Sequence, residues 1–236
     1  MNLILLNKND LKHSAQQARL TGRRHEHILK ILKSKEGDQL SIGLINDKIG
    51  IGTIININKN YTDLDIALTD QAPKPLNITL VLALPRPIVL NRILSSICSI
   101  GMKEIFLIHT QRVEKSYWAS PVLKQANMDN QFMLGLEQAG DTFMPVIHMK
   151  KHFNRFMENE LAQIAEQKTA IVAHPNGNQS FSINTKKPAI LAIGPEGGFV
   201  PSEIEKFTSI GFKAVNFAQR ILRVETAIPF IVSKLV

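Results

Sequence analysis

The sequence predicts an α/β protein in which a small β-rich module precedes a mostly parallel sheet with helices. Two observations support this prediction. From residue 78 onward, short apolar runs alternate with amphipathic stretches, a pattern typical of parallel strands joined by helices. Residues 1–70 instead hold several short strand-like segments, and Pro73 and Pro75 separate the two parts. We therefore predict a first domain over 1–70 and a second over 76–236.

The first domain begins with a short apolar strand at 3–6. Residues 21–32 then indicate a helix with Thr21 at its cap. The apolar face of this helix is expected to consist of Ile28, Leu29, Ile31 and Leu32. Three strands follow at 39–45, 48–57 and 61–68, the first two joined by an Asn46-Asp47 hairpin turn. Such a succession of short strands predicts a small barrel.

The second domain alternates strands and helices in the order that a parallel sheet requires. Its predicted strands are 78–84, 105–108, 146–147, 169–173, 190–193 and 213–217. Its predicted helices are 88–100, a region ending near 139, 153–166, 201–211 and one that opens at 223. The strand at 169–173 is expected to end in a turn at 174–177, which reads His-Pro-Asn-Gly.

The most informative stretch is 189–229, where two strand–loop–helix units follow each other. The first loop, 194–198, reads Gly-Pro-Glu-Gly-Gly and can be an ordinary tight turn or a glycine-lined ligand pocket. No Lys-Ser/Thr follows these glycines, and no G-x-G-x-x-G occurs, so neither a nucleoside-triphosphate loop nor a dinucleotide fold is supported. The second loop is predicted at 218–222. Because parallel strands share one carboxyl edge, we expect both loops to face a ligand.

Two separated motifs in this stretch resemble one known family. Residues 193–199 read IGPEGGF and residues 220–227 read RILRVETA, as in RsmE proteins. These are SPOUT-class methyltransferases that methylate the N3 atom of a uridine in small-subunit (16S) ribosomal RNA. The resemblance implies a PUA-like RNA-binding β-barrel over 1–70 and a SPOUT domain over 76–236. It also implies a C-terminal trefoil knot and a homodimer.

The resemblance further implies S-adenosylmethionine as the cofactor, without a metal. The residues expected to bind it are His174, Gly194, Pro195, Gly197, Gly198, Phe217, Ile221 and Leu222. Uridine N3 must lose its proton or have its anion stabilised to attack the methyl group. The site therefore needs close positioning and a cation or hydrogen-bond donors, with a base where the proton is removed directly. Arg223 is the expected cation, and Glu225 or Glu196 the expected base. Both acids have a structural alternative, as helix cap or loop support.

The charge balance indicates a polyanionic partner, because 28 Lys and Arg against 20 acids give +8 and a pI near 9.6. Residues 8–35 are especially basic, and can form either a solvated helix face or a phosphate-contacting one. The expected RNA-binding residues are Arg23, Arg24 and His25 in this segment, with Arg86 and Arg92 in the second domain. For the last two, surface salt bridges are the alternative. The expected partner is small-subunit ribosomal RNA in assembled or assembling 30S particles.

Two departures from the family leave other functions open. Residues 89–99 lack the Lys and Glu usual in that helix, and Asp141 replaces an arginine. The alternatives are methylation of another RNA position, including a ribose 2′-hydroxyl, or RNA binding without catalysis. Cys98 is the single cysteine, which fits a reducing, cytoplasmic setting. We expect neither a secretory signal nor a membrane span, because no apolar run is long enough.

Overall fold

The structure is a computed structural model that describes residues 2–12, 16–178 and 187–236. It divides into two compact units. The first unit comprises Met1–Lys74 with Met133–Met144, and the second comprises Pro75–Phe132 with Pro145–Val236. In the described residues, no helix is long and apolar enough to cross a membrane.

A curled five-stranded sheet forms the first unit. Its strands are β1 (Ile4–Leu6), β2 (Gln17–Leu20), β3 (Gln39–Leu44), β4 (Ile49–Ile57) and β5 (Thr62–Asp70), in the order β1-β3-β4-β5-β2. The β1–β3 pair is parallel and the other pairs are antiparallel. The hairpin predicted at Asn46 is confirmed, whereas β2 was not predicted. Residues on the inner side, such as Leu20, Ile42 and Leu64, form the core.

The helix of the first unit begins where predicted but is only partly α-helical. Helix α1 (Gly22–Glu26) continues as a π-helix over His27–Leu32, and Thr21 makes no side-chain capping bond. The predicted apolar face is wrong: only Ile28 is buried, whereas Leu29, Ile31 and Leu32 are 36%, 69% and 44% exposed. A π-helix bonds residue i to i+5, so its wider turn rotates these side chains away from the 3.6-residue stripe.

Residues 133–144 join the first unit although they follow the second unit's first strands in sequence. The carbonyl of Glu137 accepts the amides of Asn2 and Leu3, both at 3.0 Å. The hydroxyl of Thr142 donates to the Asp47 carbonyl at 2.5 Å. The Thr142 carbonyl in turn accepts the amide of Asn46 at 2.9 Å. Backbone groups of residues 2–3 and of the β3–β4 hairpin thus bind residues 133–144 to the first unit.

The second unit is built on a six-stranded parallel sheet. Its strands are β6 (Ile78–Ala83), β7 (Glu104–Ile108), β8 (Val146–Lys150), β9 (Thr169–Asn178), β10 (Ala189–Ile193) and β11 (Lys213–Val215), in the order β11-β9-β10-β6-β7-β8. All five pairings are parallel, which confirms the predicted sheet type. Strands β6 and β10 are buried along their whole length, as central parallel strands are.

Most helices from α2 onward lie between these strands in sequence, and the last one follows β11. They are α2 (Pro87–Ile100), α3 (Gln125–Ala139), α4 (Phe153–Phe156), α5 (Ala162–Ala165), α6 (Pro201–Ser209) and α7 (Val224–Val232), with a π-helix at Met157–Leu161 between α4 and α5. Short 3-10 helices occupy Lys8–Asp10, Lys115–Ala119 and Pro121–Leu123. Helix α2 ends at residue 100, as predicted, and Gly101 follows it at a φ of 93°. Helices α2 and α7 pack together.

The turn predicted at 174–177 is wrong, because β9 continues to Asn178. Asn178 is the register partner of Val215 in β11, after an irregularity in the pairing. A Cβ atom on Gly177 would lie 2.5 Å from the Val215 nitrogen. Gly177 therefore lets the backbones of β9 and β11 approach each other closely, which is a recognised reason for a glycine inside a strand.

Candidate active site

The first site loop follows β10 at the carboxyl edge of the sheet. Residues 194–198 form a tight turn in which the Gly198 amide donates to the Pro195 carbonyl at 2.7 Å, with Gly198 at a φ of 71°. A Cβ atom on Gly194 would lie 2.9 Å from the Phe199 nitrogen, so the loop closes on itself only with glycine there. The loop thus presents bare backbone to the space beyond the strand.

Helix α6 fixes the far end of this loop. Pro201 occupies its first turn, as predicted, and Glu203 is only 5% exposed. The Glu203 carboxylate accepts the amide of Val200 at 3.0 Å and that of Gln111 at 2.7 Å. One buried acid therefore ties the loop after β7 to the start of α6.

The second site loop, residues 217–222, follows β11 and leads into α7. The Asn216 side chain anchors its start: Nδ2 donates to the Pro175 carbonyl at 2.6 Å, and Oδ1 accepts the Ala218 amide at 3.0 Å. The amino group of Lys234 donates to the Phe217 carbonyl at 3.2 Å. The second site loop is thereby tied both to β9 and to the end of the chain.

These loops and α7 enclose a cavity of about 410 Å³, which we call the cofactor cavity. All eight residues predicted to bind the cofactor line it: His174, Gly194, Pro195, Gly197, Gly198, Phe217, Ile221 and Leu222. Apolar walls come from Ile193, Val215 and Ile231. The volume is within the usual range of small-molecule sites, and the combination of apolar walls with exposed loop backbone suits a ligand that has both apolar and polar parts.

The three predicted catalytic residues occupy different places. Glu196 lines the cofactor cavity and accepts the backbone amide of Arg86 at 3.0 Å, at the N-terminus of α2. Arg223 is exposed at the N-cap of α7, and Glu225 is half-buried in the first turn of that helix. Arg223 and Glu225 are not among the cavity-lining residues, although Leu222 and Val224 are.

Burial favours the neutral form of His174, because it lowers the pKa of the ring. Its Nδ1 atom accepts the Asn176 amide at 3.2 Å. In the neutral ring the hydrogen is then on Nε2. His174 thus adds a hydrogen-bond donor but no charge to the cavity.

The sequence predictions missed Arg112, which also lines the cofactor cavity. Its guanidinium donates to the Gly197 carbonyl, and its Cδ atom lies 3.1 Å from where a Cβ on Gly197 would be. Its position in the sequence is compatible with a site residue, because Arg112 comes four residues after β7 ends at the carboxyl edge of the sheet. A single arginine in a long loop carries no spacing signature, however, so no motif points to it.

A polar cluster lies where α2 begins. The Tyr117 hydroxyl donates to Glu114 Oε1 at 2.9 Å. Burial, and then Glu114, raise the pKa of Tyr117, whereas the Arg86 side chain, also a hydrogen-bond partner, lowers it. Arg92 lies further along α2 and is exposed. Among the described residues neither Arg86 nor Arg92 forms an ion pair with a carboxylate, so the surface salt bridges considered for them are not seen.

The RNA-binding candidates of the first unit are engaged inside that unit. Arg24 holds both oxygens of Asp10, at 2.6 and 2.7 Å, and donates to the Leu5 carbonyl. Arg23 contacts both oxygens of Glu137 at 2.8 Å, with half of its side chain exposed. His25 is 3% exposed, with Nδ1 2.8 Å from the Thr62 hydroxyl. Contact of these three residues with RNA stays a prediction.

Two family models match the chain. One describes an RNA methyltransferase domain and covers residues 72–236; the other describes an RNA methyltransferase PUA domain and covers residues 20–66. Among curated relatives, ribosomal RNA small subunit methyltransferase E of Treponema pallidum is 31% identical, over 96% of this chain and 87% of that protein. Ribosomal RNA small subunit methyltransferase E 1 of Borreliella burgdorferi is 27% identical, over 96% of this chain and 94% of that protein.

Solved structures share the fold. A Legionella pneumophila protein described as a methyltransferase, with SAM bound, superposes with a TM-score of 0.79 at 22% identity, over 99% of this chain and 96% of that one. Ribosomal RNA small subunit methyltransferase E of Neisseria gonorrhoeae, bound to S-adenosyl methionine, gives 0.74 at 21% identity, over 99% and 97%. At these identities the likeness establishes the architecture of the chain.

Proposed function

Because the chain belongs to the RsmE family of ribosomal RNA small subunit methyltransferases, we propose that it transfers the methyl group of S-adenosylmethionine to N3 of a uridine in 16S ribosomal RNA. The observation that carries this proposal is the meeting of two motif loops, 194–198 and 217–222, in one cavity. That cavity lies at the carboxyl edge of a parallel sheet, where ligands of such sheets bind. Neither loop alone would enclose a ligand that fills a cavity of about 410 Å³.

The residues of the cofactor cavity fit S-adenosylmethionine. Apolar side chains such as Ile193 and Ile231 suit the adenine, and the exposed backbone of 194–198 suits hydrogen bonds to polar groups. The bound cofactor supplies an electrophilic methyl group on a sulfonium. A neutral His174 adds no repulsion to that cation, and no metal enters the proposal. Among the described residues, no three His, Cys, Asp or Glu side chains group as metal ligands do.

For the target base, we assign Arg223 the role of stabilising the negative charge that develops on the uracil. It is exposed next to the cavity-lining residues Leu222 and Val224, so its side chain is available to a docked nucleotide. Glu225 or Glu196 takes the N3 proton. Glu196 already accepts the Arg86 amide, so its second oxygen is the one left for a base. Arg112 holds the loop carbonyl at Gly197 and keeps the cavity in shape.

The same proposal assigns the partners. We take 1–70 as an RNA-binding PUA-like module and 76–236 as the methyltransferase domain with a knotted C-terminal segment. We expect Arg23, Arg86 and Arg92, which are exposed, to contact the RNA, whereas Arg24 and His25 are held by contacts inside the first unit. The expected substrate is 16S ribosomal RNA within assembled or assembling 30S particles, acted on by a homodimer in the cytoplasm.

The methylated nucleoside that the protein produces distinguishes the proposed function from its alternatives. Purified protein is incubated with methyl-labelled S-adenosylmethionine and small-subunit particles from cells that lack the gene, and the RNA is digested to nucleosides for mass spectrometry. We expect labelled 3-methyluridine at one position. Label on a ribose 2′-oxygen or on another base would establish one alternative, and binding of the particles without any label would establish the non-catalytic one.

A further inference from the structure

A second cavity lies in the same unit, at the carboxyl ends of β7 and β8 and the first turns of α6. It measures about 730 Å³ and shares no lining residue with the cofactor cavity. We call it the basic cavity, after the cations that line it: Lys151, Arg155 and Lys206. Neither the motifs nor the proposed chemistry uses it.

The cations of the basic cavity are not neutralised within the described part of the chain. Lys151 lies 5.6 Å from the ring centre of Trp118, and Lys206 contacts the Asn154 side-chain oxygen and the Phe153 ring. None of the three cations forms an ion pair with a carboxylate among the described residues. All three are exposed, so a ligand meets them without rearrangement.

The one acid in the lining does not offset this charge. Glu203 is 5% exposed, and its two oxygens accept the amides of Val200 and Gln111. Those amides and the N-terminus of α6 stabilise the carboxylate where it is. The cavity therefore presents a net positive face, which selects an anion over a cation.

The neighbouring histidine is a neutral donor. His109 Nδ1 accepts the Trp118 indole N–H at 2.9 Å, so the ring hydrogen is on Nε2. Burial, and then Lys115, lower its pKa, with Glu203 acting in the opposite direction. His109 can thus donate to an anion without needing a proton from solvent.

The two cavities adjoin along the chain. Gln111 lines the basic cavity and the next residue, Arg112, lines the cofactor cavity. Likewise Phe199 belongs to the cofactor cavity and Ser202, three residues on, to the basic one. A strand of RNA with one base at the cofactor cavity would pass the basic cavity within a few nucleotides.

We propose that the basic cavity binds a backbone phosphate of the substrate RNA, close to the nucleotide that is methylated. This inference rests on the proposed function. Lysine and arginine contacts to phosphate fix the register of a protein on its nucleic acid without reading sequence. The cavity would hold the target strand in place while the base reaches the cofactor.

The test compares Lys151→Gln/Arg155→Gln with a control, Lys124→Gln/Lys187→Gln, which removes two exposed lysines of the second unit that line neither cavity. Methyl transfer to small-subunit particles and fluorescence titration of the ribosomal RNA are measured over a range of salt. For the cavity variant we expect KM and the RNA Kd to rise roughly fivefold, with kcat within twofold of the unmodified protein. The slope of log K against log salt should shrink by about 0.7 for each phosphate that the variant no longer binds.

Several outcomes would overturn the inference. A cavity variant with the KM and salt slope of the control shows that these cations do not meet phosphate. A loss of S-adenosylmethionine affinity in calorimetry, in step with activity, shows that they support the cofactor site instead. If the unmodified protein transfers no methyl group, the proposed function fails, and the RNA titration still decides the inference by the same comparison.

Discussion

The cations of segment 8–35 and those of the basic cavity carry the same charge but differ in what surrounds them. In the first unit, Asp63 pairs with Lys12 and Arg19, Asp10 with Arg24, and Glu137 with Arg23. In the second unit, Lys151 and Arg155 have no carboxylate partner among the described residues. A density of basic residues in the sequence therefore does not locate the positive surface, because acids distant in sequence neutralise some of them.

Arg223 is the clearest example of a cation that is available to a ligand, because it is exposed and forms no ion pair among the described residues. If it stabilises charge that develops only in the transition state, Arg223→Ala should lower single-turnover methyl transfer about a hundred- to a thousandfold, with the cofactor Kd unchanged. Arg223→Lys should restore little, since a point charge does not reproduce the planar donor fork. A parallel loss of cofactor affinity would place Arg223 in the cofactor site, and full activity would favour Arg220 or Arg92.

Arg24 represents the opposite case, a cation that pairs with an acid inside its own unit. Its side chain and that of Asp10 are 14% and 11% exposed, and its loss leaves a nearly buried carboxylate unpaired. We expect Arg24→Ala to lower the free energy of unfolding by about 2 kcal/mol in urea titrations. Lys8→Ala, on an exposed lysine of the same segment, is the matched control and should leave that free energy nearly unchanged. An unchanged stability of Arg24→Ala together with a smaller salt slope for RNA binding would instead make Arg24 a phosphate ligand.

The stability of the protein should fall just below neutral pH because of two histidines. The pKa values of His109 and His174, both in the second unit, are lowered from 6.5 mainly by burial. Their neutral forms stabilise the fold fully above pH 6.5, and this contribution is lost as the pH falls through the lowered pKa values. Thermal unfolding of the unmodified protein should therefore occur at lower temperature just below pH 6.5, and His109→Gln/His174→Gln should flatten that decline. An equally steep decline in the variant would assign it to other groups.

The smallest effect concerns Asp63 and appears only in acid. Hydrogen bonds from Arg19, and then Lys12, lower its pKa from 3.8 against the opposing effect of burial. A carboxylate of this kind stabilises the fold above its unfolded pKa and loses that contribution as the pH falls through the folded value. Asp63→Asn should thus reduce the stability lost on acidification below pH 4. No difference between the two proteins there would show that the pairs of Asp63 with Arg19 and Lys12 contribute nothing measurable.

The sequence predicted elements well where local rules decide them. The apolar run of β10, the Pro201 start of α6 and Gly101 after α2 each follow from the preferences of single residues. Prediction failed where distant partners decide. The sequence around Gly177 is typical of a turn, but pairing with β11 keeps this residue in a strand. Glu203 is typical of an acid in the first turn of a helix, but its carboxylate also binds the loop after β7. The cofactor cavity was predictable from two motifs, whereas Arg112 and the basic cavity depend on how unrelated loops meet.

Binding of S-adenosylmethionine by the glycine loop is the premise on which all of the proposed chemistry depends. Calorimetry with this cofactor, with a chelator present, should give saturable binding to the unmodified protein. Gly194→Ala should abolish binding, because its Cβ would lie 2.9 Å from the Phe199 nitrogen. Gly211→Ala, which strains a backbone φ of 94° after α6 and lines neither cavity, should bind normally. Absence of heat from the unmodified protein at millimolar cofactor, or normal binding by a folded Gly194→Ala protein, would refute the assignment of this loop to the cofactor.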